Sequence, residues 1–394
     1  MARIIVHIDL NAFFATCEEL RDPSLASLPL IIGHSGRSGI VSTCNYKARE
    51  YGIHSGMPTF QATRLCPSVK IVEPNYEYYE VMSRSFFCLI KTYCKEMEIA
   101  SVDECYCDFT KVLSNLKQPS RYLRAIQMKV KKELGLSCSM GVAPTKWLAK
   151  MASDMKKPMG LTLIRIKDIP TKIYPLPIES FWGIGKKTAP LLRKKGISTI
   201  GDLARAYEND PEGMRTFFGK FSSTVEEWLS GKGSDTIEKE YGDPKSIGNS
   251  HTLYFDTDKL EDIEEDLSRL AKEVSNRAKA AKLRGYGITL NVKDTSFHLH
   301  SKSVTLEEST DDAEKILEIA RQLYQSSYEG KFPIRLVGIT LTRLVNPVKE
   351  VVQLTFWNTE EYRELDKTKI LINELNEKMG KDLLMRSSDV KKTK

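Results

Sequence analysis

The sequence predicts an α+β protein built from several domains, and three observations support this. The chain has 394 residues, whereas a single domain averages about 150 residues. Its first 166 residues alternate short β-rich strands with amphipathic helices, and helices dominate from about 178 to 229. Residues 245–346 then follow the order β-α-β-β-α-β, which forms one sheet with two helices on one face.

The elements of the first part are assigned from periodicity and turn residues. Arg3–Asp9 is a short apolar run that ends in a carboxylate, which is typical of a buried strand. Many Gly and Pro residues interrupt the segment that follows, up to about Tyr76. The apolar spacing then predicts helix Tyr78–Glu96, strands Glu98–Val102 and Cys105–Phe109, helix Ser120–Leu134, strand Ser137–Val142 and helix Thr145–Asp154.

After the helical region, the four glycines of Gly231–Gly248 indicate a linker. The tail after Phe356 is polar and is expected to be partly helical. Between them we predict strand Ser246–Leu253, helix Lys259–Leu283, strands Tyr286–Val292 and Ser301–Leu306, helix Asp311–Tyr328 and strand Ile334–Leu344.

The composition excludes several classes of protein. With 41% hydrophobic and 28% charged residues, the chain is neither collagen-like nor wholly disordered. No apolar run reaches the ~18 residues of a membrane span, and Asp9 interrupts the apolar N-terminus, which argues against a secretory signal. The eight cysteines lie between Cys17 and Cys138 at irregular spacings, so we expect reduced thiols in a cytoplasmic protein.

The net charge of +7 is mild, but its distribution is uneven. Basic residues concentrate in 101–166 and 269–302, whereas 234–355 as a whole is net acidic. Local basic surfaces suit a polyanion such as nucleic acid. Solvated faces of charged helices are the alternative explanation.

Three carboxylates form the first candidate site. Asp9 ends the first strand, and Asp103 and Glu104 lie between two later strands, where a hairpin tip lets neighbouring residues share a pocket. Carboxylates without histidine or cysteine partners suit Mg²⁺. Two such ions about 3.5–4 Å apart could stabilise both oxygens of a phosphoryl displacement. An ordinary acidic surface turn is the alternative.

Two further segments suit a polyphosphate. Thr43, Tyr46 and Arg49 are spaced three apart, so on a helix they would share one side and could bind phosphate oxygens. Lys156 and Lys157 precede a Pro-x-Gly turn that could hold an ammonium over a phosphate. A polar helix face and solvent-facing lysines are the alternatives.

Two short motifs suggest macromolecular partners. Phe181–Ala204 contains the turn Gly183-Ile184-Gly185 with the spacing of a helix-hairpin-helix, whose backbone N–H groups can hold a DNA phosphate. Gln353-Leu354-Thr355-Phe356-Trp357 suits the groove of a partner protein. The two aromatic residues could equally pack the tail onto its own domain.

Taken in order, these motifs resemble the Y-family (translesion) DNA polymerases, most closely their DinB/UmuC branch, from about Arg3 to Trp357. The resemblance implies a right-hand polymerase that copies damaged templates with low fidelity and uses two Mg²⁺ per active site. It divides the chain into a ferredoxin-like palm (1–20 and 77–166), small fingers (21–76), a helix-hairpin-helix thumb (167–233), a linker (234–244), a little finger (245–346) and a tail (347–394) with a clamp-binding-like motif (353–357).

The resemblance also implies roles for individual residues. The metal ligands are Asp9, Asp103, Glu104 and the backbone carbonyl of Leu10. The nucleotide is bound by Phe14 as a steric gate against a 2′-OH, Ser42 over the nascent base pair, and Thr43, Tyr46, Arg49 and Lys157 on the triphosphate. The DNA backbone is bound by Gly183, Gly185, Lys186 and Arg335, and a sliding clamp by Gln353, Leu354, Phe356 and Trp357. The implied partners are primer-template DNA, dNTPs and the clamp, with no membrane, and the chain is expected to be a monomer.

Some positions depart from the family pattern. Asn11 stands where many members have Asp, and Leu336 and Thr340 stand where archaeal relatives place arginines, which leaves Arg335 in that strand. Three alternatives stay open: a non-catalytic DNA- and clamp-binding accessory, a two-metal nuclease, and a UmuC-like subunit that needs partners. The intact set of acidic and triphosphate residues argues against the accessory, and Phe14 rather than Tyr favours a self-sufficient polymerase.

Overall fold

The computed structural model describes residues 3–238 and 242–347, together with Leu375. The chain divides into two compact units, Met1–Gly242 and Asp243–Lys394. Among the described residues, no helix has both the length and the apolar composition needed to cross a membrane. The predicted clamp motif 353–357 lies outside the described residues.

The first unit contains, over its described residues, eight strands and eleven α-helices. In chain order these are β1 (Ile5–Leu10), α1 (Phe13–Arg21), β2 (Leu30–Gly33), β3 (Val41–Cys44), α2 (Tyr46–Glu50), α3 (Thr59–Leu65), β4 (Lys70–Val72), α4 (Tyr76–Lys91), β5 (Met97–Ile99), β6 (Glu104–Asp108), α5 (Thr110–Leu113), α6 (Pro119–Leu134), β7 (Cys138–Ala143), α7 (Lys146–Asp154), β8 (Leu161–Leu163), α8 (Thr188–Lys194), α9 (Ile200–Asn209), α10 (Pro211–Phe218) and α11 (Ser222–Leu229). The predicted strands and helices are confirmed, with ends that differ by a few residues.

A five-stranded sheet lies at the centre of this unit, in the order β5-β6-β1-β7-β8. The middle strand β1 is antiparallel to both neighbours and is buried along its whole length. Its side chains alternate between two apolar clusters: Val6 and Ile8 belong to the cluster of Phe86 in α4, whereas Ile5 belongs to that of Trp147 in α7. Both faces of β1 are therefore covered, and four of its six residues are apolar.

The chain between β1 and β5 forms a smaller three-stranded sheet, in the order β3-β2-β4. The carboxamide of Asn45 marks the boundary between β3 and α2, because its Oδ1 accepts hydrogen bonds from the N–H groups of Ala48 at 3.0 Å and Leu30 at 3.1 Å. Such a cap satisfies a free donor at the start of a helix. Asn45 therefore fixes where α2 begins relative to the small sheet.

The second unit contains β9 (Ser246–Thr257), α12 (Glu264–Ala280), β10 (Arg284–Asp294), β11 (Leu299–Thr310), α13 (Ala313–Ser327) and β12 (Ile334–Val345). Its sheet is antiparallel throughout, in the order β11-β10-β12-β9. Buried residues of both helices, such as Leu267 and Ile316, form one apolar cluster with Leu290 and Val337 of the sheet. The predicted β-α-β-β-α-β order and the α+β class are confirmed.

Candidate active site

Three carboxylates meet at one end of the central strand. The register of β1 and β6 pairs Asp9 with Glu104, and the N–H of Leu10 donates to the Asp103 carbonyl at 2.9 Å. The Ser101 hydroxyl donates to Asp103 Oδ1 at 2.5 Å. The pairing of β1 with β6 thus brings Asp9, Asp103 and Glu104 to the same strand end.

Two lysines contact these carboxylates. Helix α7 carries Lys150, whose Nζ lies 3.3 Å from Asp9 Oδ2 and also donates to Glu104 Oε2. Lys157, just beyond α7, places its Nζ 2.9 Å from Asp9 Oδ1 and 2.7 Å from Asp154 Oδ1. The side chain of Asp9 is only 11% exposed, so these ammonium groups balance a charge that water can scarcely reach.

The two adjacent carboxyl groups ionise differently. Burial raises the pKa of Asp103, and repulsion from Asp9 and Glu104 raises it further. Burial also opposes ionisation of Glu104, but the close contacts with His7 and Lys150 prevail and lower its pKa to about 2. As the pH falls, Asp103 therefore takes up a proton before Glu104 does.

A cavity of about 280 Å³ opens at this strand end. The central sheet and α7 side contribute acidic groups and Lys157, whereas β3 and α2 contribute hydroxyl, phenol and guanidinium groups. The lining residues are Asp9, Leu10, Asn11, Ala12, Phe13, Phe14, Ser42, Thr43, Tyr46, Arg49, Ser55, Asp103 and Lys157.

Tyr46 carries a donor that lacks a partner. Its phenol hydroxyl is buried and makes no hydrogen bond within the described part of the chain. Burial raises its pKa, so the hydroxyl keeps its proton. The Arg49 guanidinium lies 4.7 Å from the centre of the Tyr46 ring. Since buried polar groups are nearly always paired, an anionic ligand such as a phosphate would complete this wall of the cavity.

The donor atoms fit a divalent cation. His7, Asp9 and Glu104 each offer an atom within 4.8 Å of the others, and Asp103 adds a further carboxylate at the same strand end. Carboxylate oxygens favour hard divalent ions. The contacts of Lys150 and Lys157 with these carboxylates show that the site accommodates positive charge.

Family comparisons cover most of the chain. Residues 8–154 match the impB/mucB/samB family, residues 167–197 match the IMS family HHH motif, and residues 244–356 match the impB/mucB/samB family C-terminal domain. Among solved structures, a Y-family DNA polymerase chimera of Dbh and Dpo4 superposes with a TM-score of 0.78 at 26% identity, covering 87% of this chain and 99% of that one. An insertion ternary complex of Dbh DNA polymerase gives a TM-score of 0.58 at 26% identity, covering 86% and 98%.

Curated relatives decide the family. DNA polymerase IV of Bacillus velezensis is 35% identical over 393 residues, covering 99% of this chain and 94% of the relative. DNA polymerase IV 1 of Bacillus subtilis strain 168 is 35% identical over 397 residues, with the same coverage. This chain belongs to the Y family of DNA polymerases. The right-hand polymerase fold predicted from the motifs is confirmed with it, and so is use of a divalent metal in general terms.

The cavity of this Y-family chain brings together the residues predicted to bind metal and nucleotide, and Glu104 lies next to Asp9 through the strand register. One detail of the prediction is wrong. Thr43 does not share a helix with Tyr46 and Arg49, because it lies in β3 whereas the other two lie in α2. The Asn45 cap ends the strand and starts the helix between them.

Phe14, the predicted steric gate, stacks on Tyr79 of α4 with ring centres 4.3 Å apart and planes at 15°. The Tyr79 hydroxyl donates to Glu18 Oε1 at 2.7 Å, and Glu18 also accepts from Arg21 at 2.9 Å. Ser42 lies exposed in β3 and lines the cavity. The ring of Phe14 is therefore held from beneath by a hydrogen-bonded aromatic side chain.

The residues predicted to bind the DNA backbone do not line this cavity. Gly183 has a φ of +106° in the turn that precedes α8, and Gly185 accepts from the first N–H groups of that helix. Lys186 is exposed beside them. In the second unit, the Arg335 guanidinium lies 4.2 Å from the centre of the Phe297 ring.

Sequence reasoning missed His7, Lys150 and Asn11. His7 Nε2 lies 3.3 Å from Glu104 Oε2, and its place two residues before Asp9 puts both on one face of β1. Lys150 follows the buried Trp147 by three residues, so its position on the inner side of α7 could have been predicted. The side-chain partners of Asn11 are 128 and 148 positions away, and no local pattern indicates them.

Proposed function

We propose that this Y-family polymerase adds dNTPs to a primer 3′-end under the direction of a template, including templates with damaged bases. One observation carries the proposal: the cavity joins acidic groups of the central sheet to the hydroxyl, phenol and cationic groups of Thr43, Tyr46, Arg49 and Lys157. Polyphosphate transfer requires both kinds of group in one place.

The metal assignment is Mg²⁺, two ions per site, held by Asp9, Asp103, Glu104 and the Leu10 carbonyl. When bound, they would activate the primer hydroxyl and neutralise charge on the leaving pyrophosphate. The chain's own contribution is to hold the ligands: Lys150 and the register of β1 and β6 keep Glu104 beside Asp9.

The triphosphate would lie along the opposite wall. Arg49 and Lys157 offer positive charge, and Thr43 and the unpartnered hydroxyl of Tyr46 offer donors to phosphate oxygens. Phe14, supported by Tyr79, would lie beneath the nucleotide sugar and collide with a 2′-OH, so ribonucleotides would be excluded. Ser42 would leave space over the nascent base pair for an altered template base.

The remaining assignments follow from the family. We propose that 1–20 with 77–166, 21–76, 167–233 and 245–346 act as palm, fingers, thumb and little finger, joined by 234–244. In that arrangement Gly183, Gly185, Lys186 and Arg335 contact the DNA backbone. Gln353, Leu354, Phe356 and Trp357 in the 347–394 tail bind a sliding clamp.

We further propose a monomer that acts on DNA in the cytoplasm. The eight cysteines are unpaired, and seven of them are buried. Reduced thiols of this kind are typical of a reducing compartment.

The decisive experiment is primer extension with Mg²⁺ on an undamaged template, comparing the wild type with Asp103→Ala. The matched control is Asp108→Ala, at the other end of β6, where the carboxylate accepts from Thr110 rather than facing the cavity. We expect distributive dNTP addition by the wild type and the control, and none by Asp103→Ala. A wild type silent under several DNA and metal conditions would overturn the proposal, and activity in Asp103→Ala would overturn the metal assignment.

The clamp assignment has its own test. Deleting 353–394 is expected to reduce extension on clamp-loaded DNA while leaving extension on free DNA unchanged. Equal extension by both forms on clamp-loaded DNA would show that the motif does not bind the clamp.

A further inference from the structure

We infer that Asn11 is a positioning residue that fixes Lys157 over the active site. The inference rests on the proposed role of Lys157 as a triphosphate ligand. Asn11 directly follows β1 and is 2% exposed, although burial of a polar amide is unfavourable unless it is hydrogen-bonded. Its side chain must therefore be satisfied by specific partners.

Both ends of the Asn11 amide are used. Its Oδ1 accepts from the N–H of Met159 at 2.9 Å, and its Nδ2 donates to Ser139 Oγ at 2.9 Å. Its own N–H donates to the Ser137 carbonyl at 2.7 Å. Asn11 thus joins the end of β1 to β7 and to the loop that carries Lys157.

Two parallel contacts connect β1 to that loop. Asp9 meets Lys157 and Asn11 meets Met159, both across 148 positions of sequence. The segments Asp9–Asn11 and Lys157–Met159 therefore lie side by side with matched spacing. The Asn11 contact sets this alignment, and the alignment places the Lys157 ammonium 2.9 Å from Asp9 Oδ1.

The loop is held on its other side as well. Buried Gln127 donates to the Gly160 carbonyl at 2.8 Å, and Arg124 donates to the Met159 carbonyl at 2.6 Å. Met159 has a φ of +59°, a conformation that a non-glycine residue keeps only when its surroundings enforce it. A Cβ at Gly160 would meet the Lys156 carbonyl oxygen at 1.7 Å, so the backbone of the loop packs too closely there for any residue but glycine.

A carboxylate at position 11 can replace the amide as an anchor for the Lys157 loop, whereas an alanine cannot. Asn11→Asp keeps an acceptor for the Met159 N–H, and the Ser139 hydroxyl can turn to donate to its second oxygen. Asn11→Ala removes both contacts and frees the loop. The two variants therefore differ in whether the loop keeps its anchor to the end of β1.

The experiment measures single-turnover dNTP incorporation and amide hydrogen exchange of residues 157–161. We expect Asn11→Ala to raise the apparent Kd for dNTP about tenfold, with a smaller change in the maximal rate, and to speed exchange at Met159. Asn11→Asp should stay near the wild type in both. Tyr207→Phe, which removes a buried hydrogen bond to Ser222, is the control for a purely structural loss and should leave the apparent Kd unchanged.

A double-mutant cycle tests whether Asn11 acts through Lys157. In a Lys157→Ala background, Asn11→Ala should add little to the apparent Kd. Independent, multiplicative effects would overturn the inference, as would an unchanged Kd in Asn11→Ala with wild-type Lys157. If the wild type does not polymerise at all, the proposed function fails instead, and the exchange data still show whether Asn11 anchors the loop.

Discussion

The two larger sheets of the molecule bury different chemistry. In the central sheet of the first unit, His7 and Asp9 are 0% and 8% exposed, and two lysines approach the same strand end. In the sheet of the second unit, most buried side chains are aliphatic. The buried polar side chains among the described residues of that unit carry hydroxyls and no charge: Thr257, Ser275, Ser309 and Thr310.

The two sheets should therefore differ in how mutations affect activity and stability. A buried charge is costly unless it is compensated, so the first unit keeps its carboxylates by surrounding them with lysines and hydrogen bonds. Substitutions there should change activity and stability independently, sometimes in opposite directions. Substitutions of the buried apolar residues in the second sheet should change stability alone.

Asp103→Asn should show the largest difference between its effect on activity and its effect on stability. We expect polymerase activity to fall by about 10³-fold, because a ligand worth several kcal/mol to the transition state is lost. The raised pKa of Asp103 means that its ionisation disfavours the fold as the pH rises through that pKa. The metal-free variant at pH 7 should therefore melt at the same temperature as the wild type or higher, as measured by calorimetry in EDTA.

Glu104→Gln is the matched comparison for that experiment. The pKa of Glu104 is lowered to about 2, so its charge stabilises the fold above its ordinary pKa, and this contribution is lost as the pH falls towards 2. The variant should melt lower than the wild type at pH 7. If Asp103→Asn lost as much stability as Glu104→Gln, the two carboxylates would not differ as described.

Lys150→Met should have the next largest effect. The variant leaves Asp9 and Glu104 facing each other without the ammonium between them, and breaking a buried ion pair costs about 3–5 kcal/mol. We expect a large fall in melting temperature in EDTA that Mg²⁺ partly reverses, because the cation replaces the lost charge. Activity should fall about 10–100-fold.

Lys146→Met is its control on the same helix, since Lys146 pairs with Glu98 at 2.9 Å away from the carboxylate cluster. Its melting temperature should not respond to Mg²⁺ more than that of the wild type. An equal Mg²⁺ response in both variants would mean that Lys150 does not stand in for a cation.

The contrast also explains what could be predicted from sequence. The strand-end position of Asp9 and the hairpin position of Asp103 are local features, so periodicity and motif order were enough to predict them. The β-α-β-β-α-β order of the second unit follows from the same periodicity. Lys150 and Asn11 acquire their roles from partners more than forty residues away, and spacing carries no information about such contacts. Thr43 was misplaced because the Asn45 cap overrides the three-residue spacing.

Leu290→Ala tests the second unit, whose buried apolar side chains should affect stability but not activity. Leu290 is fully buried in β10 among apolar residues of the second unit, so its truncation should cost about 2–5 kcal/mol of unfolding free energy. Chemical denaturation measures that loss. The apparent Kd for dNTP, measured below the melting range, should equal that of the wild type. A tenfold weaker dNTP affinity would show that the apolar core of the second unit contributes to nucleotide binding as well as to stability.

Arg321→Ala should have the smallest effect and sharpens the contrast most directly. Arg321 of α13 pairs with Glu264 of α12 through two nitrogens, Nε and Nη2. The two side chains are 42% and 37% exposed, against 13% and 11% for Lys150 and Asp9. Water and salt screen an exposed pair, so the melting temperature should change by little more than the error of measurement, and less still in high salt. A loss comparable to that of Lys150→Met would mean that burial does not decide what an ion pair contributes in this molecule.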